Sequence, residues 1–583
     1  MKEIASISSL KATLFAILPF YRKAMFFGLF INLMLLAPSW YMLAVYDRVI
    51  NSRNTKTLVM LTLLVVFIYI VMECLEWIRK KLMNEAASQF EVKLNYSVFS
   101  SAFLAKLKAF NFPVQQVFTD FKVIKECLSS QALIGLMDMP FCVVFIIALF
   151  LIHPMLGLFT LIVLSIQISL ILMSQARIYQ QMRQANQFAI EAQAYFTTMV
   201  SKAEVIKSMG MLQAIRERWL NKQQAFLYYQ SQASELASSN AATSKFLQTM
   251  QASLVLGLTC YLVINNSMPQ GGAMMVIASI IAARVFSPFV QFVSQWRVLA
   301  DAKEAYGRLN SLLANDTENK NVMALPAPTG EVSVEGLNYA LPIEGRPNAE
   351  LFLKNIHFKL NSGEVLVIAG PSASGKTTLS KLLVGLNQPT SGKVRFNGVD
   401  AFKWDKAGLG EHIGYLPQSI ALIHGTLAEN ITRFSETDAQ NLDNQKLNHV
   451  IELLNLKELI ADLPEGVNTQ IGPDGAFLSG GRRQLVGLAR AIYGNPKIVI
   501  LDEPNANLDE AADKALQSMI TKLKAQGTTF IIISHLHHIV SIADNLMIMV
   551  NGQTIRYGKP DEVMASLQTP SIKAAHKAQA GVA

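Results

Sequence analysis

Gly370-Pro371-Ser372-Ala373-Ser374-Gly375-Lys376-Thr377 puts a glycine, four residues and then Gly-Lys-Thr into one short loop. That spacing suits a loop wrapped around a chain of phosphates. The glycines let the backbone curl so that successive N–H groups face one anion. Lys376 adds a mobile positive charge for β- and γ-phosphates, and the Thr377 hydroxyl can complete a Mg²⁺ shell. Residues 363–369 read as a short buried strand entering the loop, and the run from Thr378 onward reads as the helix leaving it. A helix N-terminus at that point adds a field that favours the anion. A glycine-rich turn that binds nothing is the alternative; the full pattern between strand and helix argues against it.

A second group of reactive side chains lies downstream. Lys497-Ile498-Val499-Ile500-Leu501-Asp502-Glu503 is an apolar strand ending in two acids. Asp502 can reach the same Mg²⁺ shell. Glu503 is then placed to orient or deprotonate a water attacking the γ-phosphate, a task worth roughly 10²–10⁴-fold in rate. Such a strand means little alone and much beside a phosphate loop.

The chain that must position these groups has 583 residues, too many for one core. It is 51% hydrophobic and only 16% charged, and the apolar residues cluster in the N-terminal half. That distribution predicts a membrane domain. The net charge of +9 could mark nucleic-acid binding, but Lys/Arg excess on the cytoplasmic side of a membrane protein explains it more simply. Cys74, Cys127, Cys142 and Cys260 lack metal-ligand spacing.

Taken in order, residues 1–20 imitate a signal peptide but lack a cleavage site, and are expected as an amphipathic helix on the cytoplasmic face. Six spans follow, at about 24–46, 57–76, 134–152, 155–173, 246–264 and 273–292, each long enough for a bilayer core of ~30 Å. Two long polar helical regions join them, about 77–131, which carries Arg79 among its many cations, and about 174–243; both are expected in the cytoplasm. In the sixth span Arg284, Ser287, Gln291 and Gln295 recur at spacings of three, four and four and so share one helix face. Asp138 opens the third span. Intramembrane charge points to an aqueous path or an ion pair, unless these residues sit below the bilayer edge. The membrane domain is assigned to 1–320, an α/β domain to 331–567 and a frayed tail to 568–583.

Leu478-Ser479-Gly480-Gly481-Arg482-Arg483-Gln484 resembles the signature of the ATP-binding cassette (ABC) superfamily. Gln418 matches that family's Q-loop glutamine, Asn507-Leu508-Asp509 its D-loop and His535 its switch histidine. The resemblance implies a multidomain chain: an all-α, six-helix exporter-type transmembrane domain, then an α/β P-loop ATPase. It further implies a homodimer with two ATPs, each held between one chain's phosphate loop and the other's Ser479, Gly480 and Gly481, with Gln484 grouped beside them. Glu503, His535 and Gln418 would be catalytic, and Thr377, Gln418 and Asp502 would hold Mg²⁺. Segments near 118–127 and 201–212 would dock on the cassettes. Three departures stand out: Arg482 replaces the usual signature glutamine, Pro473 replaces a usual glutamate, and Leu341 falls where an adenine-stacking aromatic is expected, leaving Tyr339 as its substitute.

Tyr41-Met42-Leu43-Ala44-Val45-Tyr46-Asp47-Arg48, Asp138-Met139-Pro140, His153-Pro154 and Ala282-Ala283-Arg284 are similar to type I secretion permease/ATPases of the protease- and RTX-exporting kind. That resemblance implies a bacterial inner-membrane exporter with its cassette in the cytoplasm, a periplasmic adaptor, an outer-membrane channel and a polypeptide cargo with a C-terminal signal. Arg284, Ser287, Gln291, Gln295 and Asp138 are the expected translocation-path residues. An exporter of a lipid or amphipathic small molecule is the alternative. A soluble ABC ATPase acting on nucleic acid is opposed by the six spans.

Overall fold

Helices that leave a bilayer must change their surface chemistry along their length, and this chain's long helices do so. The computed structural model describes residues 10–50, 52–108, 112–265, 272–314, 326–340, 351–435, 445–534 and 537–568, and the chain divides into two units, 1–318 and 319–583. Among the described residues six helices are long and apolar enough to cross a membrane.

In the first unit, α1 (Leu10–Met34) is followed by α2 (Ala37–Ala44) and a π-helical turn, Val45–Ile50. Next come α3 (Thr55–Lys108), α4 (Val114–Leu128), α5 (Gln131–Asp138) and α6 (Cys142–Ile152). The unit closes with α7 (Pro154–Val200), α8 (Ala203–Ser208), α9 (Leu212–Ile264), α10 (Gly272–Ser294) and α11 (Trp296–Ala314). With 54 residues, α3 reaches about 80 Å at ~1.5 Å per residue, far more than a bilayer needs. On α7 the buried residues Leu164, Gln167, Ile171, Ile178, Ala185 and Ala192 keep a heptad spacing. Such a seam lets α7 pack along α9 in coiled-coil fashion, with Phe188 stacked on Tyr229 at 5.4 Å.

One expectation changes here. Residues 10–34 form one helix through Pro19 and Arg22-Lys23, not a surface helix followed by a separate span. The reason is packing: Leu10 and Ile17 are buried with Phe90, Leu94 and Val98 of α3. Segment 118–127 lies inside α4, whose Phe121 and Ile124 are buried in that same cluster, and 201–212 contains the short helix α8.

The second unit carries two sheets. The first, antiparallel, has the order β2–β1–β4–β5, built from β1 (Val332–Ala340), β2 (Leu351–Leu360), β4 (Ser391–Phe396) and β5 (Val399–Asp400). The second has the order β10–β9–β3–β8–β7–β6. Its members are β3 (Val365–Ala369), β6 (Ile413–Leu416), β7 (Ile498–Asp502), β8 (Thr529–Ile533), β9 (Asn545–Val550) and β10 (Gln553–Gly558). All its neighbours run parallel except β10. A parallel sheet is covered on both faces. Accordingly Val365, Val367, Phe530 and Ile532 enter one core, and Leu366, Ile368, Ile531 and Ile533 the other.

Candidate nucleotide site and a charged cavity in the membrane unit

Strand order places the chemistry. β8 lies between β3 and β7, with Val365 opposite Phe530 and Asp502 opposite Ile533. The loop after β3, the segment after β8 and the acids ending β7 therefore share the carboxyl edge of one sheet, where ligands of open α/β sheets bind.

The loop leads directly into α12 (Lys376–Leu383). Gly375, at φ 96°, adopts a conformation costly for any residue with a Cβ. A Cβ at Gly370 would stand 2.1 Å from the Met549 carbonyl oxygen, so the close turn requires glycine there as well. Pro371, Ser372, Ala373 and Ser374 complete the turn, and Ser374 Oγ is buried without a hydrogen bond among the described residues. Lys376 Nζ donates to the carbonyls of Gly370 and Pro371, both at 2.8 Å. Burial pulls this ammonium below the usual lysine range, against the pull of the Glu503 and Asp502 carboxylates.

Asp502 is fully buried at the end of β7. Its Oδ2 accepts from Ser380 Oγ at 3.2 Å, while Oδ1 has no hydrogen bond among the described residues. Burial pushes its carboxyl above the usual aspartate range, with the Thr377 and Ser380 hydroxyls working the other way. Thr377 Oγ1 donates to Gln418 Oε1 at 3.3 Å. An orphaned buried carboxylate oxygen beside a hydroxyl and an amide carbonyl is the hard-oxygen set that Mg²⁺ takes. Glu503 follows at φ 51°, a strained position for a residue with a side chain. Its N–H is held by the Ile533 carbonyl at 2.9 Å.

Ser479 caps the signature helix, Gly480–Ile492, its Oγ accepting from the Arg482 N–H at 3.4 Å. The Arg482 side chain is ion-paired to Asp462. Gly481 lies against the D-loop, since a Cβ there would come within 2.7 Å of the Asn507 carbonyl. Gln484, grouped by sequence with the signature, turns inward: its amide donates to the carbonyls of Glu503 at 3.2 Å and Pro504 at 2.9 Å of the same chain. Tyr339 is also inward, 8% exposed in the core, with its hydroxyl accepting from Asn387 at 3.3 Å. Its ring is therefore not an open stacking surface. Thr378 lies on α12, and both His535 and Leu341 lie outside the described residues.

In the membrane unit a cavity of about 200 Å³ opens among α1, α3, α5, α6 and α10. Arg284, Ser287, Gln291 and Asp138 border it, while Gln295 is exposed elsewhere. Asp138 is paired: Arg79 Nη1 donates to its Oδ1 at 2.8 Å and Asn32 Nδ2 to the same oxygen at 3.1 Å. Arg79, only 4% exposed, holds Glu76 at 2.6 Å with its other terminal nitrogen. A Cβ at Gly28 would lie 3.3 Å from Arg79 and 3.4 Å from Asp138, so α1 seals one side of the cluster. Gly135 does the same against α10, where its Cβ would touch Gln291 and the Pro288 carbonyl at 3.4 Å. Pro288 has no N–H, which leaves the Arg284 carbonyl without its helical donor and adds to the polarity here. Asn32, Glu73, Glu76, Arg79 and Gln131 are the polar cavity residues that sequence reading missed. The signal was available: Asn32 interrupts an apolar run, and Glu73, Glu76 and Arg79 recur every three residues at the end of span two.

Comparison with known proteins agrees with this geometry. Residues 353–506 match the family model of the ABC transporter and residues 22–285 that of the ABC transporter transmembrane region. The chain is 30% identical to the type I secretion system ATP-binding protein PrsD of Rhizobium meliloti (strain 1021), over 93% of the chain and 91% of the relative. It is 26% identical to the leukotoxin translocation ATP-binding protein LktB of Mannheimia haemolytica, covering 93% and 77% respectively. Its fold matches a bacterial Atm1-family ABC exporter with ATP bound at a TM-score of 0.81 and 17% identity, covering 96% and 98% of the two chains. The chain belongs to the ABC transporter family: a multi-pass, exporter-type membrane protein with an α/β cassette that binds ATP and drives transport.

Proposed function

We propose that this exporter moves an unfolded polypeptide out of a bacterial cytoplasm in type I secretion. The supporting observation is the polar cavity among helices that include candidate spans, bordered by Arg284, Ser287, Gln291 and Asp138. A passing backbone needs such a path, because its unpaired N–H and C=O groups are costly in hydrocarbon. The secretion-system relatives favour the same cargo class. A lipid exporter would be better served by an apolar cavity.

In this reading two chains pair head to tail in the inner membrane. Each ATP lies between the phosphate loop of one and Ser479, Gly480 and Gly481 of the other. Thr377, Asp502 and Gln418 would hold Mg²⁺, which when bound would screen the phosphate charge. Lys376 leaves its loop carbonyls for the β- and γ-phosphates, Glu503 orients the attacking water, and His535 contacts the γ-phosphate. Loss of the bridging phosphate separates the cassettes, and the segments near 118–127 and 201–212 carry that motion to the membrane helices. A periplasmic adaptor and an outer-membrane channel complete the route, with cargo selected by a C-terminal signal.

The test compares the proteins in the culture medium of cells carrying the wild-type chain with those of cells carrying Lys376→Ala. One or a few polypeptides should vanish from the medium and accumulate inside. An unchanged protein profile with an altered lipid composition would favour the lipid reading instead.

A further inference from the structure

The two arginines that border the membrane cavity have different surroundings. Arg79 is paired on both sides, with Glu76 at 2.6 Å and Asp138 at 2.8 Å, and Asn32 closes that cluster. Arg284 is half-buried on α10 and has no ion pair or hydrogen bond among the described residues. A guanidinium keeps its charge at any physiological pH, so partial withdrawal from water leaves it in need of an anion. Its neighbours are suited to supply the remaining bonds. Ser287 and Gln291 follow on the same helix face, and Gln131 of α5 borders the same cavity; none of these three side chains has a hydrogen bond among the described residues. A rigid fork of N–H donors beside one hydroxyl and two amides complements a carboxylate. The acids of the lining do not cancel this preference. Asp138 and Glu76 pair with Arg79, Glu76 also faces Lys80 at 3.7 Å, so two cations balance two acids, and Glu73 is exposed, where solvent screens its charge.

We propose that this cavity binds a carboxylate of the transported polypeptide, with Arg284 as the pairing cation and Ser287, Gln291 and Gln131 as neutral donors. The inference rests on the polypeptide reading above. The carboxylate comes from an acidic side chain or from the chain end.

The experiment uses the full chain in phosphatidylcholine nanodiscs and short Gly/Ser/Leu peptides bearing an uncharged dye. One peptide ends in a free carboxylate, one in an amide, and one in an amide with a single internal aspartate. The acid forms should bind about tenfold more tightly than the plain amide. The internal-aspartate peptide tells a side-chain source from a terminal one. The preference should collapse in Arg284→Gln and survive in part in Arg284→Lys. Equal binding of acid and amide by the wild type, or an acid preference that persists in Arg284→Gln, overturns the inference. Failure of all three peptides to bind contradicts the polypeptide reading itself. A second measurement needs no peptide. Ser287→Cys should react faster with an anionic than with a cationic methanethiosulfonate, read by mass spectrometry at that position, and Arg284→Gln should reverse the order. Rates indifferent to Arg284 also overturn the inference.

Discussion

Gln484 ties the signature helix to Glu503 of its own chain: its amide donates to the Glu503 carbonyl at 3.2 Å and, beside it, to that of Pro504 at 2.9 Å. Gln484 is buried, so no water replaces these bonds if the side chain is removed. Gln484→Ala should cost about 1–3 kcal/mol of cassette stability, the penalty for stranded buried carbonyls. Turnover should fall more than ATP affinity does, because the variant loosens Glu503 and leaves the phosphate loop intact. Unfolding and steady-state kinetics on the purified chain check both, and unchanged turnover would refute the link.

Glu503 sits in a left-handed turn at the end of β7, where a change of side chain leaves the backbone path intact. Glu503→Gln should retain ATP binding and lower hydrolysis roughly 10²–10⁴-fold. Nucleotide binding measured beside phosphate release decides the matter, and near-normal release would remove Glu503 from its role.

Asp502 gives a prediction about pH. Burial raises its carboxyl pKa in the folded cassette. A folded pKa above the unfolded one stabilises fully below the unfolded value, ~3.9 for an aspartate, and that contribution is lost as pH rises through the raised value. Once ionised, Asp502 therefore burdens the nucleotide-free cassette. Asp502→Asn should raise its melting temperature at pH 7, and the gain should shrink as the pH falls through that window. The same variant should lose the extra stabilisation that Mg²⁺ adds to ATP in the wild type. Thermal unfolding between pH 4 and 8, with and without Mg²⁺ and ATP, measures both effects. A melting temperature lowered at pH 7 would contradict the burial argument.

Much of the cassette could be read from spacing, because a phosphate loop works only between a strand and a helix, and residues 363–383 carry that whole sequence of elements. The spans were equally open to reading, since twenty apolar residues have few other uses. What sequence could not supply was the partner of each polar residue. Arg79 looked like one more cytoplasmic cation, yet it is buried against Asp138, 59 positions away. Gln484 follows Ser479, Gly480 and Gly481 closely in sequence, and only its burial reveals the inward bonds. Tyr339 is an aromatic near the expected place, but the alternation of β1 sends its ring into the core. Residues 1–20 were separated from the first span by Arg22-Lys23, two charges that the continuous helix α1 carries without a break.

The central claim is that the Arg284 cavity conducts a polypeptide at the expense of ATP. The most direct measurement takes the protein that disappears from the medium of Lys376→Ala cells and counts exported chains per ATP hydrolysed, in wild type and in Arg284→Leu. The account predicts that this ratio falls at least about tenfold in Arg284→Leu, the loss of roughly one strong interaction along the path. A ratio equal to that of the wild type would contradict it.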